Sequence, residues 1–305
     1  MPPGELTARW DVQIAAWVAV LSSACGPRVM EAVEVSGTGI DAAGTDANDA
    51  GLRSFGLIHR YSFEGFGTDA IDSVGGPAGN GRIVNASLDG SGAVALAGGR
   101  SDQYVELPRF LLHGLGSVTF EAWVVWNGYL DAAGNPMHWQ RIFDFGQGLT
   151  GVPGEQAPSG TVATSYLFLT PRTEPRTAAE VAEGRVQLRV AYERPNSPQS
   201  VDFETQAQQP APLPSGVECH VAVAVDDRTL TMSLFLNGEL VATSPADMQN
   251  VDLRYVYDVN NWLGRSQFAA DDGFAGRISE FRVYSVALVP ARVRASYDAG
   301  KDAAF

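Results

Sequence analysis

The sequence predicts an all-β protein, built as a two-sheet antiparallel sandwich with one short helix near the C-terminus. Many short apolar segments alternate with Gly- and Pro-rich turns, and long helical periodicity is absent before the terminus. The chain has 305 residues, including 33 Gly and 17 Pro. A single sandwich can span roughly 200–250 residues, so one folded domain accounts for most of the chain.

The strongest strand signals lie in the middle of the chain. The segment SVTFEAWVVW, Ser117–Trp126, carries bulky apolar groups on both parities towards its end, which is typical of a strand buried within a sandwich. From Val217 to Val225 every second residue is apolar, so these side chains would share one face of a strand. Asn237-Gly238 separates two apolar runs, and this pair predicts a hairpin because both turn positions require positive φ.

The C-terminal segment predicts a strand followed by the helix. Gly276 to Val286 alternates apolar and polar residues, which indicates a strand with one buried face. Pro290 then stands where a first helical turn tolerates proline, and Gly300 stops the turn. We therefore expect the one substantial helix near Pro290–Asp298.

Several segments together resemble one known family. GRISEFRVYSVAL from Gly276, SVTFEAWV from Ser117, RIFDFG from Arg141 and SLFLNGELVA from Ser233 are similar to strands of LamG-like jelly-roll domains. These domains belong to the concanavalin A-like lectin/glucanase superfamily. The resemblance implies a jelly-roll sandwich. The stretches 148–164, 171–184 and 194–216 look like loop insertions that would carry whatever is particular to this protein.

The first 54 residues predict processing and a linker. Residues 1–25 contain a short apolar run, Val12 to Leu21, then small residues and Cys25-Gly26, and they resemble a bacterial lipoprotein signal with Cys25 as the lipidated residue. An ordinary cleaved signal, or a frayed N-terminus with no such role, is the alternative. Residues 26–54 are a Gly/Ala/Asp-rich flexible linker, and residues 55–305 form the domain. We expect an exported protein, either a cell-surface or outer-membrane lipoprotein or a secreted one, which contacts the membrane only through lipid.

Composition excludes one class of partner. Lys and Arg total 21 against 35 Asp and Glu, a formal net charge of −14. This excess of acid repels phosphate backbones, so we expect no nucleic-acid binding.

Catalysis is not expected. Glucanases of the superfamily need two carboxylates facing one scissile bond, but the strands show no run of carboxylates at even spacing. No G-x-S-x-G, H-E-x-x-H or Walker-type motif occurs. Cys219 lies on an apolar strand face, where a thiol behaves as a small hydrophobe. A glycoside hydrolase remains an alternative.

Recognition is the function that remains. The resemblance implies a non-catalytic, lectin-like module that binds a glycan or another extracellular ligand; a structural or adhesion protein with a protein partner is the alternative. Aromatic rings stack on sugars and amides bind hydroxyls. The candidate ligand-binding residues, all expected on the rim, are Tyr129, His138 and Trp139, with Asn260, Asn261 and Trp262 in the loop before Gly264. For Trp139 and Trp262 the alternative is packing at the edge of the sandwich.

A calcium site is the one cofactor prediction. First and last strands of a jelly roll commonly lie side by side, which would bring together carboxylates that are distant in sequence. The candidate ligands are Glu64, Asp69, Asp72, Asp102 and Glu280. The alternative is an ordinary ion-pair cluster with Arg60 or Arg277.

Overall fold

A computed structural model describes residues 56–174, 187–195, 204–244 and 251–303 of the chain. Within them, antiparallel strands form two packed sheets and a two-stranded ribbon, and one α-helix follows the last strand. This is the jelly-roll sandwich that the sequence predicts. The predicted signal segment and linker, residues 1–54, lie outside the described residues. Among the described residues, no helix is both long and apolar enough to cross a bilayer.

The first sheet has seven strands. In spatial order they are β1 (Leu57–Tyr61), β17 (Gly273–Tyr284), β8 (Val118–Trp126), β13 (Glu218–Asp226), β14 (Thr231–Leu236) and β15 (Glu239–Thr243), with β6 (Val94–Gly99) also paired to β17. Strand β8 has a neighbour on each side and is almost fully buried, as its two apolar parities predict.

The second sheet has eight strands. Their spatial order is β12 (Thr205–Gln208), β11 (Arg189–Glu193), β10 (Ser165–Thr170), β9 (Phe143–Gln147), β16 (Asn260–Leu263), β7 (Tyr104–Leu107), β4 (Gly81–Val84) and β3 (Asp69–Ala70). The ribbon pairs β2 (Phe66–Gly67) with β5 (Leu88–Asp89).

Aromatic side chains from both sheets meet in the core. The Phe120 ring of the first sheet lies 5.0 Å from Phe143 and 5.1 Å from Phe145 of the second sheet, centroid to centroid. Phe281 of β17 packs 6.1 Å from Phe120. All four rings are buried, and such contacts add roughly 0.5–1.5 kcal/mol per pair beyond their buried area.

The outer face of the first sheet is covered by helix α1, Pro290–Ala299. It begins with a proline in its first turn and ends at Gly300, whose φ of 82° favours glycine. Val293 is fully buried against apolar residues of the sheet. The predicted helix and its boundaries are thus confirmed.

The predicted hairpin is also confirmed. Asn237 and Gly238 have φ angles of 50° and 78°, and they join β14 to β15. The Asn237 side chain additionally accepts the N–H of His220 at 3.0 Å, which ties the turn to β13. One placement was wrong: Asn260, Asn261 and Trp262 form strand β16 inside the second sheet, not a loop.

Candidate functional site

The outer face of the second sheet carries an unusual set of side chains. On β10, Leu167 and Leu169 face the sandwich core, whereas Tyr166 and Phe168 face outward. These outward rings are still buried, because residues of the 148–164 insertion, including Ala157 and Ala163, pack on them. The predicted insertion therefore covers part of this face and leaves the remainder as a concave surface.

Two segments build the rim of this surface and hold each other. The N–H of Ala157 donates to Gln267 O at 2.7 Å, and the N–H of Ala269 donates to Ala157 O at 2.9 Å. Asn260 fixes the insertion from below, since its side chain donates to Glu155 O at 2.9 Å and accepts the N–H of Gly154 at 2.8 Å. The insertion is thus fastened to the segment that follows β16.

A pocket of about 170 Å³ opens beside this rim. It is lined by Trp139, Arg141, Phe168, Arg189, Glu204, Phe268 and Asp271. These residues come from the segment before β9, from β10 and β11, from the position just before β12 and from the segment between β16 and β17. Three aromatic rings and four hydrogen-bonding side chains thus share one concavity.

Arg141 forms the floor of the pocket. Its guanidinium stacks 3.8 Å above the Phe168 ring and is 5.7 Å from the Trp139 ring. Nη2 donates to Asp271 Oδ2 at 2.8 Å, and Nη1 donates to the Trp139 carbonyl at 2.6 Å. With only 3 % of its side chain exposed, Arg141 is held through both Nη atoms and through the Phe168 ring.

Asp144 lies directly beneath Arg141 on β9. Its Oδ2 is 3.5 Å from Arg141 Nε and accepts the N–H of Gln267 at 2.9 Å. Its Oδ1 is buried and has no hydrogen-bond partner among the described residues. Burial raises the pKa of Asp144 to about 7, although Arg141 acts in the opposite direction. The floor therefore rests on a carboxyl group that titrates near neutral pH.

Trp139 is held in a conformation that a bulky residue rarely adopts. Its φ is 52°, in the left-handed region. Its neighbour His138 exchanges two hydrogen bonds with Asp272: the His138 N–H donates to Oδ2 at 2.8 Å and the His138 carbonyl accepts the Asp272 N–H at 2.9 Å. Backbone strain of this kind costs on the order of 1–3 kcal/mol and clusters at functional sites. Here it presents the indole to the pocket.

The opposite wall contains a carboxylate. Glu204 Oε1 accepts the hydroxyl of Tyr166 at 2.6 Å, and Oε2 accepts the amide of Gln206 at 2.8 Å. Phe268 packs edge-on against Tyr166, with ring centroids 5.3 Å apart. The wall is therefore as firmly set as the floor.

Trp139 alone of the six predicted ligand residues lines this pocket. Tyr129 is 43 % exposed, but Arg172 covers its ring at 4.4 Å. His138 is exposed and has Nδ1 3.5 Å from Glu174. These two residues lie outside the lining.

Asn260, Asn261 and Trp262 require a correction, because all three are buried rather than on a rim. Asn261 donates to Pro108 O at 2.7 Å. Trp262 is fully buried, with the Arg265 guanidinium 4.7 Å from its ring centroid. The packing alternative therefore holds for Trp262, because no sugar can reach its ring.

The predicted calcium ligands Glu280 and Asp72 are both occupied by donors. Glu280 Oε1 accepts Arg60 Nε at 2.6 Å and Arg282 Nε at 2.7 Å. Asp72 Oδ1 accepts backbone N–H groups, including that of Gly75 at 2.8 Å, and Oδ2 lies 2.5 Å from His59 Nδ1. Burial raises the pKa of Asp72, but these hydrogen bonds outweigh burial and lower the pKa below its usual value. Glu280 therefore sits in an ion-pair cluster with Arg60, as the alternative stated.

The remaining predicted ligands are placed separately. Glu64 and Asp69 are exposed, and Asp102 has 60 % of its side chain exposed and pairs with Arg265 at 3.5 Å. Within the ranges that the structure describes, no group of three or more His, Cys, Asp or Glu residues is placed to hold a metal ion. Calcium binding itself stays a prediction.

Sequence reasoning missed most of the lining, yet two signals were present. Asp144 stands between Phe143 and Phe145 on an otherwise apolar strand, and a buried carboxyl at such a position requires a partner. Tyr166 and Phe168 place two aromatic rings on the parity opposite two leucines, which indicates that both faces of the strand are covered.

Two further cavities among the described residues can be compared with this pocket. One of about 180 Å³ adjoins the pocket through Asp271 and contains Arg100 and Arg265. The other, of about 520 Å³, lies beside the exposed side chains of Phe110 and Tyr257. Neither lining combines a tryptophan with arginine and carboxylate side chains, so the Trp139 pocket is the stronger candidate for sugar binding.

Sequence comparison establishes the family. A laminin G family model, described as concanavalin A-like lectin/glucanases superfamily, matches residues 98–294. The chain belongs to this family. A search of curated protein sequences gives no match.

Solved structures are similar to this chain at low identity. A structure of botulinum neurotoxin type C, whose cell entry depends on interaction with two ganglioside molecules, matches with a TM-score of 0.52 and 11 % identity. The match covers 82 % of this chain and 52 % of that one. A Trypanosoma rangeli sialidase in complex with 2,3-difluorosialic acid matches with a TM-score of 0.50 and 14 % identity, covering 80 % of this chain and 33 % of that one. Domain 4 of a Geobacillus stearothermophilus arabinanase, in complex with arabinotriose, matches with a TM-score of 0.47 and 16 % identity, covering 79 % of this chain and 97 % of that one.

Proposed function

We propose that this protein is a non-catalytic, lectin-like carbohydrate-binding module and that the Trp139 pocket holds the sugar. One observation carries the proposal: the rings of Trp139 and Phe268 line the same cavity as Arg189, Glu204 and Asp271. An aromatic face stacks on the apolar face of a sugar ring, and charged groups bind its hydroxyls with charge-assisted hydrogen bonds.

Preorganisation supports this reading. Arg141 is fixed by Asp271 and by the Trp139 carbonyl, and His138 is fixed by Asp272. A pocket whose side chains are already ordered loses little conformational entropy when a ligand binds. Membership in the concanavalin A-like lectin/glucanases superfamily agrees with a glycan ligand.

The carboxylates of the pocket support binding rather than hydrolysis. Glu204 is engaged by Tyr166 and Gln206, and Asp271 accepts Arg141 Nη2 and the Ser266 hydroxyl at 2.7 Å. A glycosidase needs one carboxyl group to donate a proton and another to act as base or nucleophile, and both must reach the scissile bond. Carboxylates engaged in this way serve as fixed acceptors for hydroxyl groups.

Export completes the proposal. The apolar run Val12 to Leu21, followed by small residues and Cys25, supports secretion or anchoring by lipid, and the Gly/Ala/Asp-rich linker that follows would then act as a tether. A domain held at the cell surface meets extracellular glycans or proteins.

Glycan-array binding by the full chain tests the proposal. We expect wild-type protein to bind at least one glycan class and Trp139→Ala to bind it at least about tenfold more weakly, a loss of about 1.4 kcal/mol. Tyr129→Ala is the matched control, since it removes an exposed aromatic residue outside the pocket. Equal binding by both variants would contradict the site, and release of reducing sugar from the bound glycan would favour the hydrolase alternative. Capture of a protein partner without glycan binding would favour the adhesion alternative.

A further inference from the structure

We infer that the Trp139 pocket takes an uncharged sugar and discriminates against carboxylated and sulfated ones. This inference rests on the proposed function and names the ligand class of the same pocket. Two observations carry it: the positive and negative charges of the pocket lining balance, and the cations of the lining already bind protein groups.

The lining residues carry balanced charge. Two cations, Arg141 and Arg189, face two carboxylates, Glu204 and Asp271. A third carboxyl, Asp144, lies beneath the floor, 3.5 Å from Arg141. Within the pocket lining that the structure describes, positive charge therefore does not exceed negative charge.

Both cations are already engaged by protein groups. Arg141 has 3 % of its side chain exposed and donates to Asp271 and to the Trp139 carbonyl, while its planar face lies on Phe168. Arg189 Nε donates to Gln208 Oε1 at 2.7 Å. An acidic substituent would have to displace one of these partners in order to form a bidentate pair with a guanidinium.

An anion would also meet repulsion. Glu204 and Asp271 both line the cavity, and negative charge on them disfavours an anion in a partly desolvated site, although burial raises the pKa of Asp271. The formal net charge of −14 adds long-range repulsion. Hydroxyl groups avoid both problems because they donate to carboxylates and accept from guanidinium N–H groups.

This conclusion differs from what the similar structures would suggest by analogy. Two of those proteins interact with gangliosides or with difluorosialic acid, which are acidic ligands. At 11 % and 14 % identity these likenesses show the fold alone. The ligand class must therefore come from this pocket's own side chains.

The test compares matched neutral and acidic oligosaccharides on the full chain. Each neutral oligosaccharide on an array is paired with its uronic-acid or sulfated counterpart. Binding is measured at about 20 mM and at about 500 mM NaCl, which shortens the Debye length from roughly 20 Å to roughly 4 Å. We expect the best neutral ligand to exceed its acidic counterpart by about tenfold or more and to change by less than about twofold with salt.

Asp271→Asn supplies a second, independent readout. It keeps the shape of the side chain but leaves Arg141 without its 2.8 Å carboxylate partner. We expect this variant to bind the acidic counterpart about fivefold better than wild type at 20 mM NaCl, with the gain lost at 500 mM. The control Asp226→Asn frees Arg228 on an exposed turn outside the pocket and should change neither ligand.

The outcomes separate the two proposals. Tighter, salt-sensitive binding of acidic sugars by wild type would overturn the neutral-ligand inference and leave the proposed function standing. Failure of Asp271→Asn to gain affinity for the acidic counterpart would also count against the inference. Absence of any glycan binding would overturn the proposed function, and this inference with it.

Discussion

Two buried carboxyl groups show how neighbours decide ionisation at the residue scale. Asp144 and Glu121 are both fully buried. Burial raises the pKa of Asp144 to about 7, and Arg141 offsets this only in part. Burial acts in the same direction on Glu121, but His220 and Arg282 outweigh it and lower the pKa. Under the same desolvation, the pKa of the carboxyl group beneath the pocket is raised, whereas the pKa of the one beneath the helix is lowered by its neighbours.

Replacing Asp144 by Asn should change how stability depends on pH. Because the folded pKa of Asp144 is raised, the folded state binds more protons than the unfolded state between about pH 4 and pH 7. The stability that the protonated form provides is therefore present below about pH 4 and is lost as pH rises to 7, with a slope of at most about 1.4 kcal/mol per unit. We expect the free energy of unfolding of Asp144→Asn to rise relative to wild type over this window.

Urea unfolding of both proteins from pH 4 to pH 8 measures this difference. Taking the difference between variant and wild type cancels the other carboxyl groups with shifted pKa values, such as Asp258 and Glu280. Parallel pH profiles would show that Asp144 ionises in the folded state as it does in the unfolded chain.

At the scale of elements, the C-terminal helix is fastened by both apolar and polar contacts. Val293 is fully buried against the first sheet. The Ser296 hydroxyl donates to Glu121 Oε2 at 2.7 Å, an oxygen that also accepts the Tyr284 hydroxyl at 2.9 Å. Helix α1 therefore closes over a polar group that would otherwise be buried with fewer partners.

Two valines on either side of the first helical turn give a matched test of this docking. Val293→Ala should lower the free energy of unfolding by roughly 2 kcal/mol, because it removes buried methyl groups and leaves a cavity. Val289→Ala, at a position that is 55 % exposed, should stay within about 0.5 kcal/mol of wild type. Chemical denaturation of both variants measures the two values, and equal losses would contradict the docking of this helix.

Elements with strong local signals were predictable from sequence, and those defined by distant contacts were not. Asn237-Gly238 and Pro290 act through their own backbone preferences, so the hairpin and the helix were placed correctly. Asn260 and Asn261 looked like loop residues because polar amides are usually exposed. They are buried in β16 because each amide binds a backbone carbonyl far away in sequence, Glu155 O for Asn260 and Pro108 O for Asn261.

At the scale of the whole molecule, the candidate site is a product of topology. The Arg141–Asp271 contact that sets the floor joins residues 130 positions apart. Local periodicity places Phe168 on a strand face but does not indicate which loop will cover it. Sequence therefore predicted the sandwich and one lining residue, Trp139, while the grouping of Arg141, Glu204 and Asp271 needed the three-dimensional fold.

Export is the prediction that concerns the part of the chain beyond the described residues. If Cys25 carries lipid, wild-type protein expressed in a bacterial host should fractionate with membranes and Cys25→Ala should not. Fractionation followed by mass determination of the mature N-terminus measures this. Unchanged membrane association of Cys25→Ala would contradict lipidation, and water-soluble wild-type protein in the medium would favour ordinary signal cleavage.

The central claim is that the concave outer face of the second sheet binds a sugar at Trp139. A crystal structure of the full chain with its best array ligand tests this claim most directly. The account predicts a sugar ring stacked on Trp139 or Phe268, with hydroxyl groups bonded to Glu204, Asp271 or Arg189. A sugar bound instead in the 520 Å³ cavity beside Phe110 and Tyr257, with the Trp139 pocket empty, would contradict it.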